Sequence, residues 1–415
     1  MDCRHIKYII FLQKFLKILK ELLSRSSLSG SGQRPAYPPN KGVRTVNREE
    51  PYLSTYLHSK GRKLGLPVSG NFELTSRCNF RCPMCYIHGT DEGLKARELS
   101  AEVWLSLASQ AVKRGMIFAL LTGGEPFIRE DFFEIFRGMK KMGLMISINS
   151  NGSLLNEEII DRLAEDPPFR MNISLYGASD ATYKNMCGIP CHDRVVENIR
   201  SLRAHGIDTR LNVSLTEYNS ADLEKILKTA KELGVHVKAS SYMYPPTRYD
   251  KSAGSGRLTA EQAAEASVRY DTLRFTDDEF RGRAENMRKG VCRAEECPGD
   301  PTAEGISCRA GNASFWLTWE GKMLPCGLMK APVAYPLEAG FDAAWDRIRE
   351  KSAAIRLPSA CSSCAKRNMC SICAAMSESE TGGYDTPPEY VCEMTEDIYR
   401  FTLEEAERRF GGKND

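Results

Sequence analysis

From about Gly70 the chain alternates between short apolar runs and longer amphipathic stretches. "NFELT", "FALLT" and "MISINS" are brief runs that read as strands. Between and after them, "SAEVWLSLASQAVKRG", "EDFFEIFRGMKKMG" and "NEEIIDRLAED" carry apolar residues at helical spacing. The first of these has Ser100 as N-cap and Glu102 in its first turn. "RMNISLYG", "HDRVVENIRSLRAHG", "TRLNVSLT", "SADLEKILKTAKELG" and "HVKASSY" continue the alternation to Tyr242. The pattern predicts about six strand–helix steps, hence parallel strands with helices outside. The fold is then a barrel, complete or partial, or an open doubly wound sheet, with its chemistry at the C-terminal strand ends.

The flanks read differently. Ile6 to Arg25 forms one amphipathic helix on a wheel, with Lys7, Gln13, Lys14, Lys17, Lys20 and Glu21 on one face. Tyr8, Phe11, Leu12, Phe15, Leu19, Leu22 and Leu23 share the other. A basic helix of this kind can lie on an anionic membrane, dock on a partner or cover its own protein. A Ser/Gly/Pro-rich linker follows, "SSLSGSGQRPAYPPNKG". After Tyr244 come a loop, two helical stretches and a cysteine-rich tail with little apolar periodicity, which is expected to need metal to fold. The expected division is a helix and linker over 1–69, a barrel over 70–244, a helical connector over 245–291 and a cysteine-rich tail with a C-terminal helix over 292–415.

Composition changes this picture at one point only. A net charge of +3 does not by itself call for a nucleic-acid partner. Cysteine is the exception: the chain has 15, none between Cys85 and Cys187 or between Cys191 and Cys292, and nine from Cys292 onward. The opening residues lack an apolar run long enough for an export signal or a membrane span. The expected compartment is therefore the reducing cytoplasm, where clustered cysteines act as metal ligands.

"CNFRCPMCY" places Cys78, Cys82 and Cys85 in a C-x3-C-x2-C spacing directly after the first barrel strand. Three thiolates fall one short of a tetrahedral zinc site and one short of the four ligands of a [4Fe–4S] cluster. A zinc knuckle completed by a distant residue is the competing interpretation. The spacing resembles that of the radical S-adenosylmethionine (SAM) enzymes, a family in which the open iron chelates SAM. An electron from the cluster then cleaves SAM to methionine and a 5′-deoxyadenosyl radical. "FALLTGGEP" ends in Gly123, Gly124, Glu125 and Pro126 and resembles the family's GGEP motif, which binds the amino group of SAM. Glycines let backbone approach closely, and a carboxylate can pair with an ammonium. The resemblance also makes Ser174 a contact for the ribose or carboxylate of SAM, and Tyr86 an adenine contact; packing or turn roles compete for both. Cys187 and Cys191 follow strand four in "NMCGIPCHD", where redox activity or contact with substrate thiols competes with their being role-free loop cysteines.

The tail resembles the SPASM extension of radical SAM peptide and protein maturases, which holds two auxiliary [4Fe–4S] clusters. The matching residues are Cys308, Gly321 and Cys326, then Cys361, Cys364, Cys370 and Cys373 in "CSSCAKRNMCSIC", and Cys392. The family usually has three residues between the last two cysteines of the central run, and here there are two. Carried over by position, one cluster takes Cys361, Cys364, Cys370 and Cys392. The other takes Cys308, Cys326 and Cys373 with Cys297 or Cys292. A zinc ribbon competes for the same pairs. Residues 1–69 do not resemble the winged-helix leader-recognition element of some maturases.

The expected fold is thus α/β, a partial (β/α)6 TIM-like barrel followed by a small cysteine-rich domain. The resemblance implies an enzyme that oxidatively modifies a peptide or protein side chain, fed by a low-potential donor such as flavodoxin or ferredoxin. A small molecule or tetrapyrrole is the alternative substrate, and a non-catalytic zinc or iron–sulfur protein the alternative of another class. Sulfatase maturases carry an Asp base directly after the second SPASM cysteine. That position is Gly327 here, which argues against sulfatase maturation. No catalytic base is assigned from the sequence; Asp342 and Asp346 lie further on.

Overall fold

The apolar runs become six parallel strands in a computed structural model that describes residues 52–87, 94–245, 255–290 and 305–411. The amphipathic helix over 6–25, its linker, Cys292 and Cys297 lie outside the described residues. Helix α1 (Tyr52–Leu64) leads into β1 (Ser69–Glu73), α2 (Ala101–Lys113), β2 (Phe118–Thr122), α3 (Phe132–Lys141), β3 (Met145–Ser150), α4 (Glu157–Glu165) and β4 (Arg170–Ser174). Two helices, α5 (Asp180–Cys187) and α6 (His192–Ala204), separate β4 from β5 (Thr209–Ser214), and α7 (Leu223–Glu232) leads to β6 (His236–Ser240). Then come α8 (Ala260–Arg274), α9 (Asp277–Arg288), β7 (Ser314–Leu317), β8 (Met323–Leu324), α10 (Phe341–Ala354), α11 (Ala374–Thr381) and α12 (Glu389–Phe410).

The sheet order is β6-β5-β4-β3-β2-β1-β7-β8. β1 to β6 pair in parallel with sequential neighbours, as short strand–helix–strand crossovers require. One face of each strand is apolar and buried in the main core: Phe72, Leu121, Ile148, Ile173, Leu211 and Val237 pack against the helical layer. Trp104 of α2 meets Phe72 edge-on at 6.1 Å. Strand alternation sends the intervening residues to the other, concave face. Asn71, Ser147, Asn149, Asn172, Ser174 and Asn212 therefore line a polar interior, where Asn172 donates to Asn149 at 2.9 Å.

The helix starts follow local chemistry. Ser100, Asn156 and Ser179 cap α2, α4 and α5 with side-chain oxygens, and Thr259 and Thr276 form reciprocal capping boxes at α8 and α9.

Two features depart from expectation. The stretch before the barrel is not all linker, because α1 packs there through Leu57, with Val68 and Ile117. The tail also joins the barrel's own sheet: β7 runs parallel to β1, with Gly70 opposite Phe315, and β8 is antiparallel to β7. Trp345 of α10 donates to the Gly65 carbonyl at 2.9 Å and closes the seam. Among the described residues no helix is long and apolar enough to cross a membrane.

Candidate active site

The segment leading to the first three cysteines is held by glycines on the next strand's end. Leu74 N donates to Thr122 O at 2.8 Å, Gly124 N to Thr75 O at 2.8 Å and Glu125 N to Arg77 O at 2.9 Å. A Cβ on Gly123 would stand 2.6 Å from Thr75 O, and one on Gly124 2.2 Å from Arg77 O. The two glycines therefore admit the stem of the cysteine loop itself, a role beyond the ligand approach expected of them. Arg77 donates to Glu98 at 2.8 and 2.9 Å, Thr75 donates to the same carboxylate, and Arg129 lies 3.5 Å from it. Neither Glu98 nor Arg129 is recognisable from spacing, since both reach the stem only through the fold.

Glu125 is fully buried. Its Oε1 accepts from Phe127 N at 3.2 Å and Ser150 Oγ at 3.0 Å, and its Oε2 from Asn151 N at 2.7 Å and Ser150 Oγ at 3.1 Å. Both oxygens are engaged in tying the end of β2 to the end of β3. Burial pushes its carboxyl up to about 7 against those stabilising donors. Pro126 opens a single 3-10 turn after it.

Cys78 accepts from Phe80 N at 3.3 Å and from Asn151 Nδ2 at 3.7 Å. Burial pushes its thiol up to about 12, with Glu125, Cys82 and Cys85 adding to the effect. Without a metal the Cys78 thiol stays protonated, so ligand formation there must be coupled to metal arrival. On one side of the loop, Tyr86 tilts against Trp316 of β7 at 6.4 Å, and both pack with Cys85. On the other, Ser174 ends β4, its side chain bonded to the Tyr176 hydroxyl.

The tail cysteines separate into two neighbourhoods. Cys308, Cys326 and Cys373 share a small apolar cluster with Ile306, Met329 and Tyr244. Cys361 lies within electrostatic reach of Cys364, Cys370 and Cys392, and Cys361 and Cys370 pack around Tyr242 and Val391. Burial raises the thiols of Cys308, Cys361 and Cys392. Among the described residues no three His, Cys, Asp or Glu side chains close around one ion. A cluster places each thiolate on a different iron and needs only the looser neighbourhood.

The radical SAM superfamily model matches residues 72–230, from β1 into α7. A probable GTP 3′,8-cyclase of Sulfurisphaera tokodaii is 34% identical over 261 residues, 61% of this chain and 79% of the relative. The chain belongs to the radical SAM superfamily. The AdoMet-dependent heme synthase of Methanosarcina barkeri is 26% identical over 325 residues, covering 75% of this chain and 93% of that protein. For a probable GTP 3′,8-cyclase of Saccharolobus solfataricus, 37% identical over 177 residues, the chain spans 56% of the relative's length. Streptococcus suis SuiB bound to precursor peptide SuiA superposes with a TM-score of 0.59 at 17% identity, over 92% of this chain and 88% of that one. The anSMEcpe enzyme with bound AdoMet and Cp18Cys peptide gives 0.62 at 15% identity, over 82% and 98%. These two likenesses show a shared fold.

A radical SAM enzyme uses a [4Fe–4S] cluster and SAM, and the loop's donor set suits them. Three unbridged thiols stand together, with amide donors aimed at the sulfur of Cys78. Cys187, for which the sequence left a redox or substrate-thiol role open against no role, stands beside the cysteine loop. Fully buried at the end of α5, it places its thiol in hydrogen-bonding contact with that of Cys82, and its carbonyl accepts from Arg81 N at 2.9 Å. Its position beside the loop was legible; its inward orientation was not. Cys191 is also buried, so neither thiol meets substrate at the surface. At Gly327 a Cβ would lie 2.6 Å from the Trp316 indole, whose Nε1 donates to buried Glu73 at 2.8 Å. Asp342 and Asp346 pair with Arg114 on the outer helices, at 3.9 and 2.6 Å.

Proposed function

We propose that this radical SAM enzyme oxidatively modifies a side chain of a peptide or protein, forming a cross-link or thioether. The observation that carries the proposal is the pair of tail cysteine neighbourhoods beside the C-terminal end of β6, joined to it through Tyr242 and Tyr244. In this reading Cys78, Cys82 and Cys85 hold the SAM cluster. Cys361, Cys364, Cys370 and Cys392 hold one auxiliary cluster, and Cys308, Cys326, Cys373 and Cys297 (or Cys292) the other. Gly123, Gly124, Glu125, Pro126, Ser174 and Tyr86 surround SAM. When bound, the cluster and SAM supply reductive cleavage of the sulfonium and a carbon radical that abstracts hydrogen. The chain's own part is to seat the thiols, exclude water and orient SAM. Auxiliary clusters suit such chemistry because a substrate left short of a hydrogen atom must give up an electron or form a bond. Peptide-bound SuiB and anSMEcpe, which share the fold, favour an extended substrate. A flavodoxin- or ferredoxin-type donor and a cytoplasmic setting complete the proposal, with the amphipathic N-terminal segment as a peripheral membrane contact.

A second reading is a carboxylate-bearing small molecule of tetrapyrrole type. It is favoured by the heme synthase match.

Anaerobic reconstitution followed by iron, sulfide and 5′-deoxyadenosine measurements tests the chemistry. About twelve irons per chain are expected if three four-iron clusters form. Co-expression with short peptides encoded beside the gene, read by mass spectrometry, tests the substrate. A mass change confined to added tetrapyrrole carboxylates would replace the first substrate with the second.

A further inference from the structure

Tyr244 follows β6 and belongs to both cysteine neighbourhoods at once. Its hydroxyl lies 3.7 Å from Cys373 Sγ. Its ring sits in the apolar cluster of Cys308, Cys326 and Cys373, and also packs with the cluster holding Cys361 and Cys370. A cluster-bound cysteine is a thiolate with no proton to give, so in the loaded protein the phenol is the donor. Hydrogen bonds onto cluster sulfurs help set the reduction potential, because they stabilise the more negative, reduced form.

The surroundings hold that phenol in place. Tyr242 meets Tyr244 edge-on at 4.9 Å, and its own hydroxyl donates to Glu380 at 2.7 Å. Glu380 is paired with Arg257, whose guanidinium lies 3.5 Å over the Tyr390 ring. Tyr390 in turn packs on Tyr242 at 5.9 Å and donates to the Leu258 carbonyl at 2.9 Å. The neighbouring group has a weaker counterpart: Thr395 Oγ1 lies 3.4 Å from Cys370 Sγ but only 2.7 Å from Val391 O. One hydroxyl proton cannot serve both acceptors fully, and the carbonyl is the nearer.

We propose that Tyr244 is a positioning residue whose O–H···S bond to Cys373 raises the potential of the auxiliary cluster held by Cys308, Cys326 and Cys373. The two auxiliary sites are thereby held at different potentials. This rests on the auxiliary-cluster reading above.

The test compares full-length, anaerobically reconstituted wild type with Tyr244→Phe and Thr395→Val by iron and sulfide content and by redox titration followed by electron paramagnetic resonance. Tyr244→Phe is expected to keep its iron and to move one auxiliary midpoint to more negative potential, leaving the other two signals in place. Thr395→Val should move the other auxiliary signal by less. Full iron with unchanged midpoints in Tyr244→Phe would overturn the inference. Wild type with only about four irons per chain would instead remove the auxiliary-cluster reading, and this inference with it. If Tyr244→Phe loses iron, electron–nuclear double resonance of wild type in heavy water decides. An exchangeable proton coupled to one auxiliary cluster supports the bond, and its absence overturns it.

Discussion

The carboxylate of Glu125, at the end of β2, accepts the backbone amide of Asn151 at 2.7 Å, just beyond β3. Two adjacent strand ends are thus tied by one buried acid, and Asn151 passes the contact on to the sulfur of Cys78. Burial raises the carboxyl from about 4.5 to about 7, so the native state holds a proton that the unfolded chain releases earlier. The group's contribution to stability is present in full below about pH 4.5 and is lost as pH rises through about 7. Across that window it amounts to about 3 kcal/mol. Urea midpoints of wild type are expected to show this decline. Glu125→Gln should flatten it, at some cost in absolute stability because its amide nitrogen faces a backbone donor.

Gly124→Ala drives a methyl into Arg77 O, 2.2 Å away. Backbone cannot step aside as a flexible side chain would, so a loss of about 2–3 kcal/mol is expected, together with reduced iron loading. Gly143, with φ of 89° and nothing within 4 Å of its would-be Cβ, is the comparison. Alanine there should cost only about 1 kcal/mol of backbone strain and leave iron content unchanged.

Cys187 contacts Cys82 without belonging to the C-x3-C-x2-C set. If Cys78, Cys82 and Cys85 are the SAM-cluster ligands, replacing any one by alanine reduces dithionite-driven 5′-deoxyadenosine release to background. Cys187→Ala keeps its cluster and continues to cleave SAM. Equal loss in all four variants would make Cys187 a ligand and displace one of the three.

Gly327→Asp should not create a sulfatase maturase. The new side chain would collide with Trp316 and break its bond to Glu73. A fall in stability of about 1–3 kcal/mol is expected from overpacking, with no turnover of a Cys- or Ser-containing sulfatase peptide. Product formation on such a peptide would show that the indole can move aside.

The barrel was legible because short strand-like runs alternate regularly with amphipathic helical stretches along the sequence. "FALLT" and "MISINS" coincide with β2 and β3 residue for residue. Helix α5 was missed although Ser179 and Gly188 cap it, because "DATYKNMC" mixes polar and apolar residues too evenly to show a face. β7 and β8 are four and two residues long, too short for any period to register. The expected C-terminal helix is α12, which spans 22 residues and buries Val391, Thr402 and Ala406. In the site, the cysteine spacings were visible because Cys78, Cys82 and Cys85, and again Cys361, Cys364, Cys370 and Cys373, lie close together in the sequence. The groups that position them were not visible. Glu98 reaches Arg77 across 21 residues, and Tyr244 reaches Cys373 across 129.

The parallel pairing of β7 with β1 makes the tail a structural neighbour of the strand that leads into the Cys78–Cys85 loop. Severing the chain before residue 305 would bare a row of unsatisfied amides and carbonyls along β1, an invitation to intermolecular pairing. A chimera that exchanges tails between such enzymes must therefore carry the hairpin of Ser314–Leu324 along with the barrel, and place its junction beyond it.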